Sequence, residues 1–172
     1  GVATINNAGV ITGVSPGTAT FIFTSSSSLC VSDATGAVTV NPTPTVSITG
    51  PSGICIGDVT QLSPTSGGTW VSDNPSVATV SSAGVVTGVS AGFARFTFTD
   101  DTYGCVSQKT APVTVNLRPT VSFTGPNALC IGQTSTVSPT SGGTWTSSNP
   151  AVATINNAGL ITAIANGSVS FT

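Results

Sequence analysis

The sequence repeats itself every 75 residues without insertion or deletion. Val-Ala-Thr-Ile at residues 2–5 returns as Val-Ala-Thr-Val at residues 77–80 and as Val-Ala-Thr-Ile at residues 152–155. Gly-Gly-Thr-Trp at residues 67–70 returns at residues 142–145. A constant period of this length indicates an array of identical structural units, each small enough to bury only a modest core. Such arrays usually provide length, avidity or display rather than catalysis.

The composition excludes several classes of partner. Charged residues make up 5 % of the sequence, against roughly 25 % in an ordinary soluble domain. Three basic side chains cannot neutralise a phosphate backbone, so we expect no nucleic-acid partner. No apolar run approaches the roughly 20 residues of a membrane span, so we expect no membrane insertion. The sequence starts without Met, and we expect it to be an internal part of a longer mature protein.

Short segments of alternating apolar and hydroxyl residues, separated by Gly, Pro and Asn turns, fill each repeat. In residues 93–99 the alternation places Ala94, Phe96 and Phe98 on one face and Phe93 and Arg95 on the other. Residues 77–89 carry two such segments around Ser-Ser-Ala-Gly, which predicts a hairpin. About seven strands at roughly ten-residue spacing predict an all-β fold, a β-sandwich repeated with the 75-residue period.

Proline-bearing segments predict the domain boundaries. We expect residues 42–44 and 117–119 to be short, semi-rigid linkers. Residues 1–41 are then the C-terminal part of one repeat, and residues 45–116 are a complete repeat. Residues 120–172 are a repeat that lacks its last strand. These three segments are called the first, middle and third repeat below.

A longer pattern within each repeat resembles a known family. Residues 70–92 contain Trp-x-Ser, then Asn-Pro-x-Val-Ala-Thr-Val, then Gly-Val-Val-Thr-Gly-Val, and finally Ala-Gly before the next strand. Residues 145–166 repeat this pattern, and residues 2–17 show its second half. The third repeat departs from it only in turns, with Ala163 in place of Gly88. The pattern resembles the bacterial immunoglobulin-like group 2 domain.

The resemblance implies an immunoglobulin-like β-sandwich used as a stalk or display module of surface adhesins. Ile-Cys-Ile-Gly early in the repeat and Gly-Cys late in it are similar to repeats of very large secreted proteins of Bacteroidota. Some of those are adhesins exported by the type 9 route. The resemblance therefore implies an extracellular place on a bacterial cell surface.

Four cysteines in a Thr- and Ser-rich β array predict an oxidising compartment. Three complete pairings are possible. Pairing within a repeat gives Cys55–Cys105 and leaves Cys30 and Cys130 with partners outside the sequence. Pairing across the linkers gives Cys30–Cys55 and Cys105–Cys130. We favour the first, because a covalent staple matters most inside a small core, and leave the second and free thiols open.

The sequence offers little catalytic chemistry. It contains no His and no Glu, and Gly-x-Ser-x-Gly does not occur, so we predict no catalytic residues and no enzyme. Without His and without Cys-x-x-Cys we predict no zinc site and no cofactor. Asp100 and Asp101 are the only adjacent carboxylates, and two such ligands fall short of a calcium shell, which predicts a solvated loop.

Trp70 and Trp145 occupy equivalent positions in the middle and third repeats. An exposed Trp is a common platform for sugars, but each of these lies on a predicted central strand. Immunoglobulin-like folds bury their core aromatic at that place. We therefore predict that both are core aromatics.

Taken together, these features favour a stalk that projects a distal binding region of an adhesin. The alternatives are a self-assembling extracellular filament subunit and a glycan-binding array in which many weak copies give avidity. The expected partners are neighbouring repeats of the same chain, lateral copies of the protein, and a surface or host ligand bound outside this sequence.

Overall fold

The structure is a computed structural model that describes residues 1–172, and all of its regular elements are β-strands. The all-β expectation is therefore confirmed. The chain forms two compact units, Gly1–Leu117 and Arg118–Thr172. The predicted linkers, residues 42–44 and 117–119, contain no strand. The division into three repeats stays a prediction.

Four short strands lie in the first repeat and nine in the middle repeat. The first repeat contains β1 (Ala3–Ile5), β2 (Ile11–Gly13), β3 (Gly17–Ala19) and β4 (Val38–Val40). The middle repeat contains β5 (Ser47–Ile48), β6 (Gly53–Cys55), β7 (Val59–Ser63), β8 (Gly68–Ser72), β9 (Ala78–Val80), β10 (Val85–Gly88), β11 (Gly92–Ala94), β12 (Phe96–Asp100) and β13 (Val113–Asn116).

Two sheets make up the middle repeat. In the first sheet the strand order is β5-β7-β10-β9, and all neighbours are antiparallel. In the second, β11 pairs with β13 and β12 pairs with β8, while only Arg95 separates β11 from β12. β6 adds to the free side of β13 as a parallel neighbour. This is the immunoglobulin-like sandwich that the family resemblance implies.

The core of the middle repeat lies between the two sheets. Alternate residues of each strand point inward, so Ala94, Phe96 and Phe98 are buried while Phe93, on the other face, is 66 % exposed. Every member of the core cluster, including partly buried neighbours, lies within residues 46–115. The middle repeat therefore owes its hydrophobic core to no residue outside its own predicted boundaries.

The last part of the middle repeat, after the turn that follows β12, forms a regular ladder only over β13. Upstream of it, two buried hydroxyls replace carbonyl oxygens as acceptors. The N–H of Phe98 donates to Ser107 Oγ at 2.9 Å, and that of Phe96 donates to Thr110 Oγ1 at 3.1 Å. These hydroxyls satisfy buried donors that a normal strand would pair through its backbone.

The predicted hairpin joins β9 to β10. Val86 pairs with Val80, and the turn closes as the N–H of Gly84 donates to the Ser81 carbonyl oxygen at 3.0 Å. Gly84 has φ +74°, and a Cβ there would lie 3.0 Å from the Leu62 carbonyl oxygen. This position therefore requires glycine for its backbone conformation and for the space beside it.

The third repeat forms one four-stranded sheet in the second unit. Its strands are β14 (Ser122–Phe123), β15 (Thr134–Ser138), β16 (Ala153–Ile155) and β17 (Leu160–Ala163), in the order β14-β15-β17-β16. This order matches that of the first sheet of the middle repeat. Its smaller core contains Val137, Ala153 and Ile161. In the first repeat, β1 pairs with β2 and β3 pairs with β4.

The two faces of β11 and β12 supply a matched test of the packing. We expect Phe96→Ala to lower the free energy of unfolding by about 3–5 kcal/mol, because it leaves a cavity in a closed core. Phe93→Ala removes the same ring from the exposed face, and we expect a change below about 0.5 kcal/mol. Urea unfolding followed by fluorescence in a Trp145→Phe background measures both, because Trp70 alone then reports. Equal losses would contradict this assignment of faces.

Candidate functional site

Trp70 lies on β8 with its ring in the core. It is 7 % exposed, and its ring centroid lies 5.1 Å from that of Phe98 at an interplanar angle of 57°. Its Nε1–H donates to the Pro64 carbonyl oxygen at 2.9 Å, which satisfies the one polar atom of the ring. The face of this ring is therefore covered by protein and offers no platform to a sugar.

Trp145 has the same environment in the third repeat, although it is less deeply buried. Its Nε1–H donates to the Pro139 carbonyl oxygen at 2.9 Å. The ring packs against the cluster that contains Val137 and Ile161. The repeated hydrogen bond to a proline carbonyl shows that both Trp side chains are held in the same way.

Cys55 is the last residue of β6 and starts the turn into β7. The N–H of Asp58 donates to its carbonyl oxygen at 3.0 Å, and Gly57 takes φ +85°. Through the parallel ladder Cys55 lies opposite Asn116, where β13 ends. Its side chain is half-buried and carries a free thiol.

Cys105 closes the turn that follows β12. The N–H of Asp100 donates to the Cys105 carbonyl oxygen at 3.0 Å, and Gly104 takes φ +69°. The Asp100 carboxylate accepts from the N–H groups of Thr102 at 2.6 Å and Tyr103 at 2.8 Å. This carboxylate therefore closes the turn. No group of three His, Cys, Asp or Glu residues in residues 1–172 is placed to hold a metal ion.

The other two cysteines occupy the same two turns in their own repeats. The carbonyl oxygen of Cys130 accepts from the N–H of Gln133 at 3.0 Å, as that of Cys55 accepts from Asp58. The carbonyl oxygen of Cys30 accepts from the N–H of Ser25 at 2.9 Å, as that of Cys105 accepts from Asp100. Both are exposed and carry free thiols. The array thus contains two kinds of cysteine turn.

The two kinds of turn lie at opposite ends of the middle repeat. Asp100 pairs with Gly68, two residues before Trp70. The Trp70 indole donates a hydrogen bond to the Pro64 carbonyl oxygen. The residue before Pro64, Ser63, pairs with Ser47 of β5. The turn at residues 100–105 and the start of β5 therefore share one end, here named the entry end. The turn at residues 55–58 and the last residue of β13 share the other, the exit end.

This placement sets Cys55 far from Cys105, the two cysteines of the favoured pairing. Val115 lies opposite Gly92, so Asn116 and its partner Cys55 lie beside the start of β11. Cys105 lies beside Asp100, at the end of β12. The two cysteines are therefore about nine residues apart along the continuous length of β11 and β12. At about 3.3 Å per residue the separation is roughly 30 Å, whereas a disulfide joins Cα atoms within about 7 Å. The structure does not bring the two together. The parallel pairing of β6 with β13, which the sequence does not reveal, causes this.

Asp73 is the charged centre that sequence reasoning missed. One oxygen of its carboxylate accepts from the N–H of Arg95 at 2.8 Å, and the other accepts from Lys109 Nζ at 3.0 Å. The N–H of Arg95, followed by the Lys109 ammonium group, lowers the pKa of Asp73 below its ordinary value of 3.8. The side chain of Asp73 is 33 % exposed and that of Lys109 is 56 % exposed. Water therefore screens the attraction between the two charges, as in other surface ion pairs.

Replacing the ammonium group separates the two causes of this pKa shift. We expect Lys109→Met to raise the pKa of Asp73 toward 3.8 without reaching it, because the N–H of Arg95 remains. A lowered folded-state pKa stabilises the protein above the unfolded-state value, and that stability is lost as the pH falls through the folded-state value. The variant should therefore lose less stability on acidification than the wild-type chain.

Carboxyl NMR titration measures the pKa, and urea unfolding at neutral and acidic pH measures the stability. At neutral pH we expect the variant to lose less than about 1 kcal/mol. Asp73→Asn is the matched control, because it keeps an acceptor for Arg95 and removes the titration. An unchanged pKa in Lys109→Met would show that Arg95 alone causes the shift.

Surface cavities add no cluster of titratable groups. Three lie in the third repeat, around Phe123, Val169 and Trp145, and one lies in the first repeat around Phe21 and Ile5. None of these four is lined by a titratable side chain. The structure contains no helix that is long and apolar enough to cross a membrane.

A β-sandwich with a tryptophan packed against its core and with turns at its two ends that recur in another repeat is typical of an immunoglobulin-like repeat protein. Residues 37–115 and 127–172 match the bacterial Ig-like domain (group 2), and the chain belongs to this family. A search of curated proteins found no significant match.

Two solved structures are similar over 98 % of this chain. The S-layer protein rSbsC is 14 % identical with a TM-score of 0.35, and domains 1–6 of the surface layer protein SbsC are 13 % identical with a TM-score of 0.33. The chain spans 35 % of the length of each.

Proposed function

We propose that this chain is part of a stalk, a spacer array of a large secreted bacterial adhesin that holds a distal binding region away from the cell surface. Membership of the bacterial Ig-like family supports an array of structural modules. A surface with 5 % charged residues and four cysteines in turns supports an extracellular place. The ligand of the adhesin is bound by regions outside this sequence.

The observation that carries this proposal is the position of the first and last strands. β5 begins at the entry end of the middle repeat, and β13 stops at the exit end. The chain therefore crosses the whole length of the sandwich between entering and leaving it. A repeat built in this way adds length each time it is copied, whereas a repeat with both termini at one end would not.

The length of arrays with different numbers of repeats tests the stalk. Proteins with two, four and eight copies of residues 42–116 should grow in maximum dimension by about 30–40 Å per copy, from nine strand residues plus a three-residue linker. Small-angle X-ray scattering measures this dimension. Growth that levels off as copies are added would contradict the stalk and indicate a collapsed array.

The burial of Trp70 weighs against a glycan-binding array, because the middle repeat then exposes no Trp to stack on a sugar. Titration of an immobilised glycan library with the middle repeat is the direct test. Specific binding by the wild-type repeat would favour a binding array over a stalk.

Lateral association into a filament is the second candidate, and one observation favours it. β8 pairs with β12 on one side and with no strand on the other. Its outward-facing Val71 is 57 % exposed, and no charge on β8 opposes pairing with another strand. Sedimentation equilibrium distinguishes the two, since a stalk stays monomeric while a filament subunit associates as the concentration rises.

A further inference from the structure

We propose that the cysteines are cross-linking sites between repeats, and that a thiol of the exit-end kind bonds to a thiol of the entry-end kind in a different repeat. Cys55 and Cys130 are of the exit-end kind, and Cys105 and Cys30 are of the entry-end kind. The partner repeat belongs either to the same chain or to a second copy, and the chemistry is the same in both. This inference rests on the repeat geometry and not on the stalk.

The geometry of the middle repeat leaves no room for a disulfide between its own two cysteines. The hydrogen-bond register separates Cys55 from Cys105 by roughly 30 Å. Both lie beside strands whose partners are fixed by the core, so closing the gap would require unfolding the second sheet. Any disulfide that these thiols form must therefore reach outside the repeat.

The two kinds of thiol lie beside the strands that connect to the linkers. The last strand of the middle repeat ends beside Cys55, and its first strand begins at the end that holds Cys105. Only residues 117–119 separate the last strand from the next predicted domain. With the 75-residue period, the exit-end thiol of one repeat and the entry-end thiol of the following repeat are 125 residues apart in sequence, and no two of the four cysteines here have that spacing.

The cysteines keep their positions in the other repeats although neighbouring residues of their turns differ. Asp58 in the exit-end turn becomes Gln133 in the third repeat, yet Cys130 keeps its place. Gly104 in the entry-end turn becomes Leu29, which takes φ +59°, a conformation costly for a side chain of this kind. Cys30 keeps its place there too. The requirement at these positions is therefore for the thiol and not for the turn.

The chemistry is a thiol–disulfide exchange. Two thiols lose two protons and two electrons as the S–S bond forms. A small-molecule disulfide such as oxidised glutathione accepts the electrons through a mixed disulfide and leaves as two thiols. The half-buried or exposed turns give such a reagent access to all four sulfurs.

The 172-residue chain gives the first test. After oxidation with oxidised glutathione, peptide mapping under non-reducing conditions should find disulfides between chains, each joining an exit-end to an entry-end cysteine. The monomer fraction should contain no peptide that joins Cys55 to Cys105. A Cys55–Cys105 disulfide in the monomer would overturn the proposal, and so would disulfides between chains that join two cysteines of the same kind.

A protein with two copies of residues 42–116 identifies the partner, because the middle repeat contains a complete core. One variant keeps Cys55 in the first copy and Cys105 in the second, with C105S and C55S at the other positions. The matched control keeps Cys105 in the first copy and Cys55 in the second. Both have two thiols, and only the first variant places them beside the linker.

The rate of bond formation within the monomer separates the outcomes. If the partner is the neighbouring repeat, the first variant should close at least about tenfold faster than the control, through its higher effective concentration. If the partner is a second chain, both variants should form disulfide-linked dimers at similar rates. Monomers of the control that close as fast as those of the first variant would overturn the proposal.

Discussion

The whole sandwich depends on burying alternate residues between the two sheets of a repeat that spans only residues 45–116. Phe96 is fully buried at the centre, with Leu62 and Val86 from the facing sheet and Val113 and Val115 from its own. A core of this size stabilises the fold only marginally, so each large inward side chain contributes a substantial part of the free energy of unfolding. The same limit explains why buried hydroxyls on residues 107 and 110 must complete the ladder beside β12. An unpaired amide there would cost a substantial part of the stability.

The repeat period, the hairpin after β9 and the inward Trp could be predicted because each is a local signal. Alternation, turn residues and aromatic spacing all act within about ten residues. The pairing of β6 with β13 joins residues about 60 positions apart, and nothing in either segment specifies its partner. The position of Cys55 depends on that pairing. The value of a staple inside a small core favours a bridge to Cys105, whereas the register places the two cysteines at opposite ends of the repeat.

The candidate site shows the same division between local and distant information. The turns that hold Cys55 and Cys105 follow from glycines and carboxylates nearby in sequence, and each kind of turn occurs in one further repeat. Their location at opposite ends emerges only when both sheets are assembled. Asp73 was missed because its partners, Arg95 and Lys109, lie 22 and 36 residues further along the chain. Low charge makes this ion pair conspicuous in the structure, although no motif marks it in the sequence.

The parallel contact between β6 and β13 has a mechanical consequence. Tension applied through the two termini pulls β6 toward the entry end and β13 toward the exit end, so the strands are loaded in shear. The bonds from Thr114 N–H to the Ser52 carbonyl oxygen and from Ile56 N–H to the Asn116 carbonyl oxygen then bear the load together. They must break together rather than one after another. The pairing of β6 with β13, which leaves the two cysteines at opposite ends, is thus also the part of the middle repeat that resists being pulled open.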